Sequence, residues 1–201
     1  MNDATPIPPR RLAMPTIRRA APGDAGALPA IERSAGEAFR ALPDLAWIAD
    51  DEVQSARRHR ELIAAGLALV AELSGRPVGF LNAEVFGNRL HLWQIAVHAD
   101  HQGQGIGTRL LRRAIREAAA RGLHAMTLTT FREVSWNEPY YRRLGFVALQ
   151  APSGHLRRIL ADEARAGLPR ERRCAMVMWL GRRSRRRHAR VRRGVMAIRR
   201  P

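Results

Sequence analysis

Polar and apolar positions alternate along the chain in a way that divides residues 16 to 180 into short strands and amphipathic helices. Thr16 to Ala20 reads as a first strand. Pro22-Gly23-Asp24 then turns the chain into a helix capped near Asp24 and running to about Ala41. Pro43 ends that helix. A second is predicted from Asp50 to Ala65, because Asp50, Asp51 and Glu52 suit the positive end of a helix dipole.

Leu67 to Leu73 and Val78 to Val85 are strand-like runs joined by Ser74-Gly75-Arg76-Pro77, and that turn chemistry predicts an antiparallel hairpin. Gly87-Asn88 turns the chain again into Leu90 to Val97, giving a three-stranded meander. This fourth strand of the chain is largely apolar on both faces, interrupted at His91 and Gln94, the pattern of a strand central in its sheet. Thr108 to Ala120 carries Leu110, Leu111, Ala114, Ile115 and Ala118 at helical spacing, and Gly122 stops it.

Met126 to Phe131 is the next strand, followed by a loop to Trp136. A short helix from Glu138 to Leu144 follows, with Asn137 as its cap and Pro139 in its first turn. Phe146 to Leu149 and Cys174 to Leu180 read as two closing strands, with a helix around Leu156 to Ala166 between them. The fold class is therefore α/β, with a mixed, mostly antiparallel central sheet flanked by helices. The chain divides into a proline-rich, disordered arm (residues 1–15), one domain (16–180) and a tail (181–201).

Composition changes this picture little. The single cysteine, Cys174, excludes a disulfide framework and points to a reducing, cytoplasmic setting. The longest largely apolar run, Leu62 to Leu73, is interrupted by Gly66 and is too short for a membrane span, so no membrane partner is predicted. The net charge of +17 is uneven: ten arginines place +10 in the last 21 residues, and there is no lysine anywhere. The arginine tail admits nucleic acid as a partner, but basic tails of this kind are usually solvated and the absence of lysine marks a compositional bias. A homodimer is possible.

The chemistry concentrates at His98 to Leu111, where a turn with three glycines joins the fourth strand to a helix. Backbone N–H groups at such a junction bind phosphate without any side chain. The turn is not a dinucleotide fingerprint, since the sixth position from Gly103 is Thr108 and from Gly105 is Leu110. Nor is it a Walker loop, which needs a lysine. What remains is Gln102-Gly103-Gln104-Gly105-Ile106-Gly107.

These residues resemble the Gln-x-x-Gly-x-Gly turn of the GNAT superfamily of acetyl-CoA-dependent N-acyltransferases. The segment Trp136-Asn137-Glu138-Pro139-Tyr140-Tyr141-Arg142-Arg143-Leu144-Gly145-Phe146 is similar to the same family's asparagine helix and Tyr-x-x-x-Gly-Phe ending. The resemblance implies a GNAT-like sheet splayed at strand four, with acetyl-CoA as cofactor. It places the pyrophosphate at the amides from Gly103 to Thr108 (Gly103, Gln104, Gly105, Ile106, Gly107, Thr108), preceded by Gln102. It pairs the pantetheine arm with the main chain of Ile95, Ala96 and Val97, brings Asn137 to the cofactor arm, and turns Tyr141 to the sulfur.

A phenol still protonated at neutral pH can supply the proton that a departing thiolate needs, and a main-chain amide of Ile95 or Val97 can meet developing oxygen charge. Cys174 lies far in sequence from both motifs, which favours direct transfer to an amine in a ternary complex over a covalent acyl-enzyme. The general base is where this chain departs from the family, because Gln94 stands where many relatives carry glutamate. Glu84, His91 and Glu37 are the candidates, Glu84 first, and a water chain would need none of them.

The resemblance also implies an acceptor groove formed by the first two helices and their loop, where Phe39, Asp44, Trp47, Asp50 and Asp51 would suit a small-molecule or peptide amine. Bland roles remain open for each motif: a tight connection for the glycine turn, a helix cap for Asn137, a core aromatic for Tyr141. His98 and His101 lack a nearby third ligand, so no metal is predicted. The missing strand-four acid also leaves room for a non-catalytic CoA-binding or sensor domain of the same fold.

Overall fold

The meander predicted from Leu67 to Val97 forms the middle of the sheet in the computed structural model, which describes residues 14–181. Most of the N-terminal arm and the arginine tail therefore lie outside the described residues. The strands are β1 (Thr16–Arg19), β2 (Leu67–Leu73), β3 (Arg76–Phe86), β4 (Arg89–Val97), β5 (Ala125–Phe131), β6 (Val147–Ala148) and β7 (Arg173–Trp179). They pair in the order β1-β2-β3-β4-β5-β7-β6, so β4 is the middle strand of seven, as its two apolar faces require. Every pairing is antiparallel except β4 with β5.

That parallel pairing is short. Only Arg89 to Leu92 meet Ala125 to Leu128, after which β5 stays with β7 and the rest of β4 diverges from it. A register shift accompanies the divergence: Asn82 and Ala83 of β3 face Gln94 and Leu92, so Trp93 is the extra residue of a bulge on β4, which supplies the local twist a splay needs. The connection back from β4 to β5 is α3 (Ile106–Ala120), a right length for a parallel crossover. Its buried stripe is Ile106, Leu110, Leu111, Ala114 and Ala118, which locks the helix across the main core. Each large side chain buried there contributes about 1.5–3 kcal/mol.

The other helices are α1 (Leu28–Gly36), α2 (Ala56–Ala65), α4 (Glu138–Arg143) and α5 (Gly154–Arg165). Two helix predictions need correction. The long first helix is three pieces: a 3-10 turn at Pro22–Gly26, α1, and a second 3-10 turn at Glu37–Ala41. Asp24 accepts the main-chain N–H of Ala21 at 2.7 Å and two guanidinium bonds from Arg18 at 2.7 and 2.9 Å. These contacts commit Asp24 to the turn, and α1 begins afresh with Pro29 in its first turn.

The second helix starts at Ala56 rather than Asp50, because Ser55 Oγ accepts from Arg58 N at 3.2 Å and is the true cap. Asp50 is instead held by the Arg40 guanidinium at 2.7 Å, and Pro43–Ala49 forms a 3-10 turn. Helix α3 begins two residues earlier than its apolar spacing suggested, on Gly105 at φ 76°. No described helix is long and apolar enough to cross a membrane.

Candidate active site

A cavity of about 730 Å³ opens where β4 leaves β5. His98 N–H donates to Val78 O at 2.9 Å. In the alternation of an antiparallel ladder the main-chain groups of Ala96 and Gln94 therefore face β3, and those of Ile95 and Val97 turn into the gap. The Val97 carbonyl meets Gln102 Nε2 there at 3.0 Å, a bond that folds the glycine turn back on the strand end. A second tie, Ala99 N–H to Ser34 Oγ at 3.0 Å, holds the turn to α1.

Gly103 and Gly105 both adopt positive φ, at 73° and 76°. A side chain there would be strained, so the backbone amides that open α3 depend on glycine at both positions. At Gly107 an added Cβ would come within 3.5 Å of Tyr140 Oη, and that hydroxyl in turn lies 3.3 Å from Thr108 Oγ1. The helix start is thus lined by backbone and one tyrosine rather than by bulky side chains.

Across the gap stands α4. Asn137 precedes it but does not cap it with its side chain. Instead Asn137 Oδ1 accepts from Thr130 Oγ1 at 2.9 Å, which leaves Nδ2 buried in the cavity wall without a protein partner among the described residues. A buried donor left unpaired costs about 1–3 kcal/mol, so such a group is normally supplied with an acceptor. One turn on, Tyr141 also lines the cavity, packed edge-on against Tyr140 and Phe146. Burial, reinforced by Tyr140, pushes its phenol well above the ordinary tyrosine range, so the proton stays on oxygen at neutral pH.

Most residues singled out by sequence therefore share this one cavity: Ile95, Ala96, Val97, Gln102, Gly103, Gly105, Ile106, Gly107, Thr108, Asn137 and Tyr141. Gln104 lies outside it, with its side-chain amide on Asp100 O at 3.4 Å. The base candidates fare differently. Glu84 is not in the cavity lining; its carboxylate takes the indole N–H of Trp93 and faces Arg58 at 3.9 Å. His91 is buried in the sheet beside Thr127 Oγ1 at 3.0 Å, and burial, with His155 nearby, lowers its pKa to about 4. Glu37 is exposed and paired with Arg40 at 2.8 Å.

Cys174 is nearer the second motif than its place in the sequence implies, since it sits opposite Thr130 in the sheet. Its thiol is buried in the core, outside the cavity lining, and burial pushes it up to about 11. That combination gives neither a thiolate nor access for a nucleophile.

On the acceptor side Phe39 and Asp51 line the cavity, whereas Asp44, Trp47 and Asp50 do not. Trp136 stands edge-on to Phe39 with ring centres 5.7 Å apart and remains partly exposed at the mouth. Glu32 and Glu52 join Asp51, so this end carries three carboxylates. Sequence reasoning missed Glu32 and Trp136. The signal for Glu32 was available in principle, since it lies four residues after Leu28 and next to Ile31, both on the buried stripe of α1. No cluster of three metal-ligating side chains occurs among the described residues.

A splayed parallel junction, a glycine-opened helix at its mouth and the Asn137–Tyr141 segment opposite thus bound one cavity. The sequence pattern of the acetyltransferase (GNAT) family matches residues 31–146, more than half of the chain. The chain belongs to that family; by class it is an acyltransferase, and acetyl-CoA is the family's donor.

An uncharacterized N-acetyltransferase of Methanocaldococcus jannaschii is 33% identical over 97 residues, 45% of this chain and 43% of the relative, so the chain spans less than half the length of that relative. In structure it is similar to the PaiA N-acetyltransferase of Thermoplasma acidophilum in complex with coenzyme A (TM-score 0.61, 17% identity, 81% of this chain and 96% of that one). It is also similar to the ribosomal-protein-S18-alanine N-acetyltransferase of Escherichia coli (TM-score 0.58, 23% identity, 83% and 93%). At these identities the two structures establish the fold.

Proposed function

We propose that residues 16–180 form an N-acetyltransferase domain that moves an acetyl group from acetyl-CoA to a primary amine by direct transfer in a ternary complex. The observation that carries this reading is Asn137, whose buried Nδ2 has no hydrogen-bond partner among the described residues and which lines a cavity whose other wall is the free edge of β4. A linear arm with alternating amide groups satisfies both walls at once, as an added strand satisfies a sheet edge. The amides opening α3 suit a pyrophosphate. Acetyl-CoA bound in this way supplies an activated acyl carbon and a thiol leaving group.

The chain's own groups do the rest. Tyr141 Oη keeps its proton at neutral pH, so it is placed to donate a hydrogen bond, and then the proton, to a departing thiolate. A main-chain N–H of Ile95 or Val97, both turned into the gap, stabilises negative charge on oxygen. Phe39 and Trp136 beside three carboxylates favour an amine that arrives cationic, whether small or at the end of a peptide. Cys174, buried and protonated, gives no support to a covalent relay.

Thermal denaturation with acetyl-CoA tests the cofactor half of the proposal. At about a hundred times the dissociation constant the ligand should stabilise the protein by about 2.7 kcal/mol, a rise of about 5–10 °C in Tm. Asn137→Ala should weaken that binding about three- to tenfold by removing one hydrogen bond. A Tm unmoved by millimolar acetyl-CoA would remove the basis of the reading.

A further inference from the structure

Gln94 of β4 lines the cavity, and its amide cannot take a proton. Glu32 stands in the same cavity wall. The two are linked through Gln54, whose main-chain N–H lies 3.3 Å from Glu32 Oε2 and whose side-chain amide donates to Gln94 Oε1 at 2.8 Å. One residue thus sets the carboxylate of α1 beside the amide of β4.

A second support lies behind Glu32. His59 of α2 is completely buried, edge-on to Phe80, with Nδ1 3.0 Å from the Asn82 side-chain nitrogen and Nε2 3.5 Å from Glu32 Oε2. With the Asn82 amide donating to Nδ1, the imidazole proton resides on Nε2 and faces the carboxylate. Nε2 makes no hydrogen bond within the described residues; it faces Glu32 Oε2 at 3.5 Å, and no arginine among those residues is salt-bridged to Glu32. Glu32 thus presents a carboxylate at the cavity wall, with the Gln54 N–H and the His59 ring set against Oε2 and no guanidinium paired with it among the described residues.

We propose that Glu32 is the proton acceptor for the amine substrate, with His59 and Gln54 as positioning residues. The proposal rests on the acetyltransferase reading given above. The amine enters as R–NH3+ and gives one proton to Glu32, which releases it to water at the mouth. The C–N bond then forms as the C–S bond breaks, the sulfur takes the Tyr141 proton, and the phenol regains a proton from the nitrogen through water. One proton is released per acetyl group moved. At pH 7 fewer than about one in a thousand alkyl amines is neutral, so this first transfer matters most at low pH. His59 from α2 faces Glu32 directly, and the other charged and titratable groups lining the same cavity are Arg33 on the same helix, Asp51 and Glu52 from the loop before α2, His101 from the glycine turn, and Tyr140, Tyr141 and Arg143 from α4.

The test compares the wild type, Glu32→Gln, Glu32→Asp and the double variant Glu32→Gln with Gln94→Glu, using acetyl-CoA and whichever primary amine the wild type turns over best. Glu32→Gln should lower kcat/KM about a hundredfold at pH 7. The deficit should shrink steadily toward pH 10, where the amine arrives neutral, and acetyl-CoA affinity should stay unchanged. Glu32→Asp should lose less and keep the wild-type pH profile, which separates lost chemistry from a damaged fold. The double variant should recover at least about tenfold, because the acid returns to the same wall from β4. A Glu32→Gln deficit that is constant with pH, or that falls on KM alone with kcat intact, would overturn the assignment. Absence of transfer by the wild type to any amine would instead show in the first arm, and would overturn the parent reading together with this one.

Discussion

Tyr141→Phe is expected to lower kcat by about 100-fold to 10,000-fold while leaving the dissociation constant for acetyl-CoA within about threefold of the wild type. The change removes one oxygen from a ring that is packed against Tyr140 and Phe146, so the cavity wall keeps its shape. What disappears is the proton donor for the departing sulfur. Because burial holds the phenol proton well beyond the ordinary tyrosine range, the wild-type donor should remain protonated throughout the neutral and mildly alkaline range. No loss of wild-type activity between about pH 8 and 9 should therefore trace to Tyr141. Steady-state kinetics with a calorimetric binding measurement separates the outcomes. A kcat within threefold of wild type would remove Tyr141 from the chemistry. A non-catalytic CoA sensor, by contrast, would bind acetyl-CoA in both forms and turn over in neither.

Gly66→Ala should be the most damaging small substitution for the fold. A Cβ at Gly66 would lie 2.2 Å from the carbonyl oxygen of Ala83 and 3.2 Å from its carbon, and neither backbone atom can rotate away. Gly66 closes α2 and starts β2, whose first residue, Leu67, pairs with that same Ala83 beside the bulge. The helix end and the strand must therefore separate to admit the methyl group. Overpacking against backbone should cost about 3 kcal/mol or more, a fall of about 6–12 °C in Tm. The displacement also reaches the site, because α2 carries His59 and β3 carries Asn82. Differential scanning calorimetry measures the effect directly, and a Tm shift below about 2 °C would mean that the two elements are not held as closely as described.

Sequence reasoning recovered what is locally determined. The meander follows from two-residue periodicity and turn residues, and β4 was legible as central because only His91 and Gln94 interrupt its apolar faces between Leu90 and Val97. The glycine turn was legible because Gly103 and Gly105 must take positive φ there. The three-part first helix was not, since its break depends on Arg18 reaching Asp24 across a turn and is further braced by Glu72 from another strand. Similarly, the acidic cluster at Asp50 looked like a helix start because its tie to Arg40 is a tertiary contact.

The catalytic wall divides in the same way. Tyr141 lies on α4 and Asn137 directly before it, four residues away, so their motif carries their geometry. Glu32 gains its role from Gln54, His59 and Asn82, which come from a loop, another helix and a strand. Glu84 was the nearer guess along the chain, yet a neighbouring residue on the same hairpin, Trp93, engages its carboxylate outside the cavity lining.

The central claim is direct acetyl transfer to an amine, and one measurement meets it most squarely. The full chain is incubated with acetyl-CoA and a panel of primary amines and peptides with free N-termini, with released thiol and N-acetyl product quantified together and the intact protein weighed by mass spectrometry. The account predicts one thiol released for each N-acetyl product formed, with no acetyl group retained on the protein. Thiol release without amide, an acetylated protein that accumulates during turnover, or no amide from any amine in the presence of bound acetyl-CoA would contradict it.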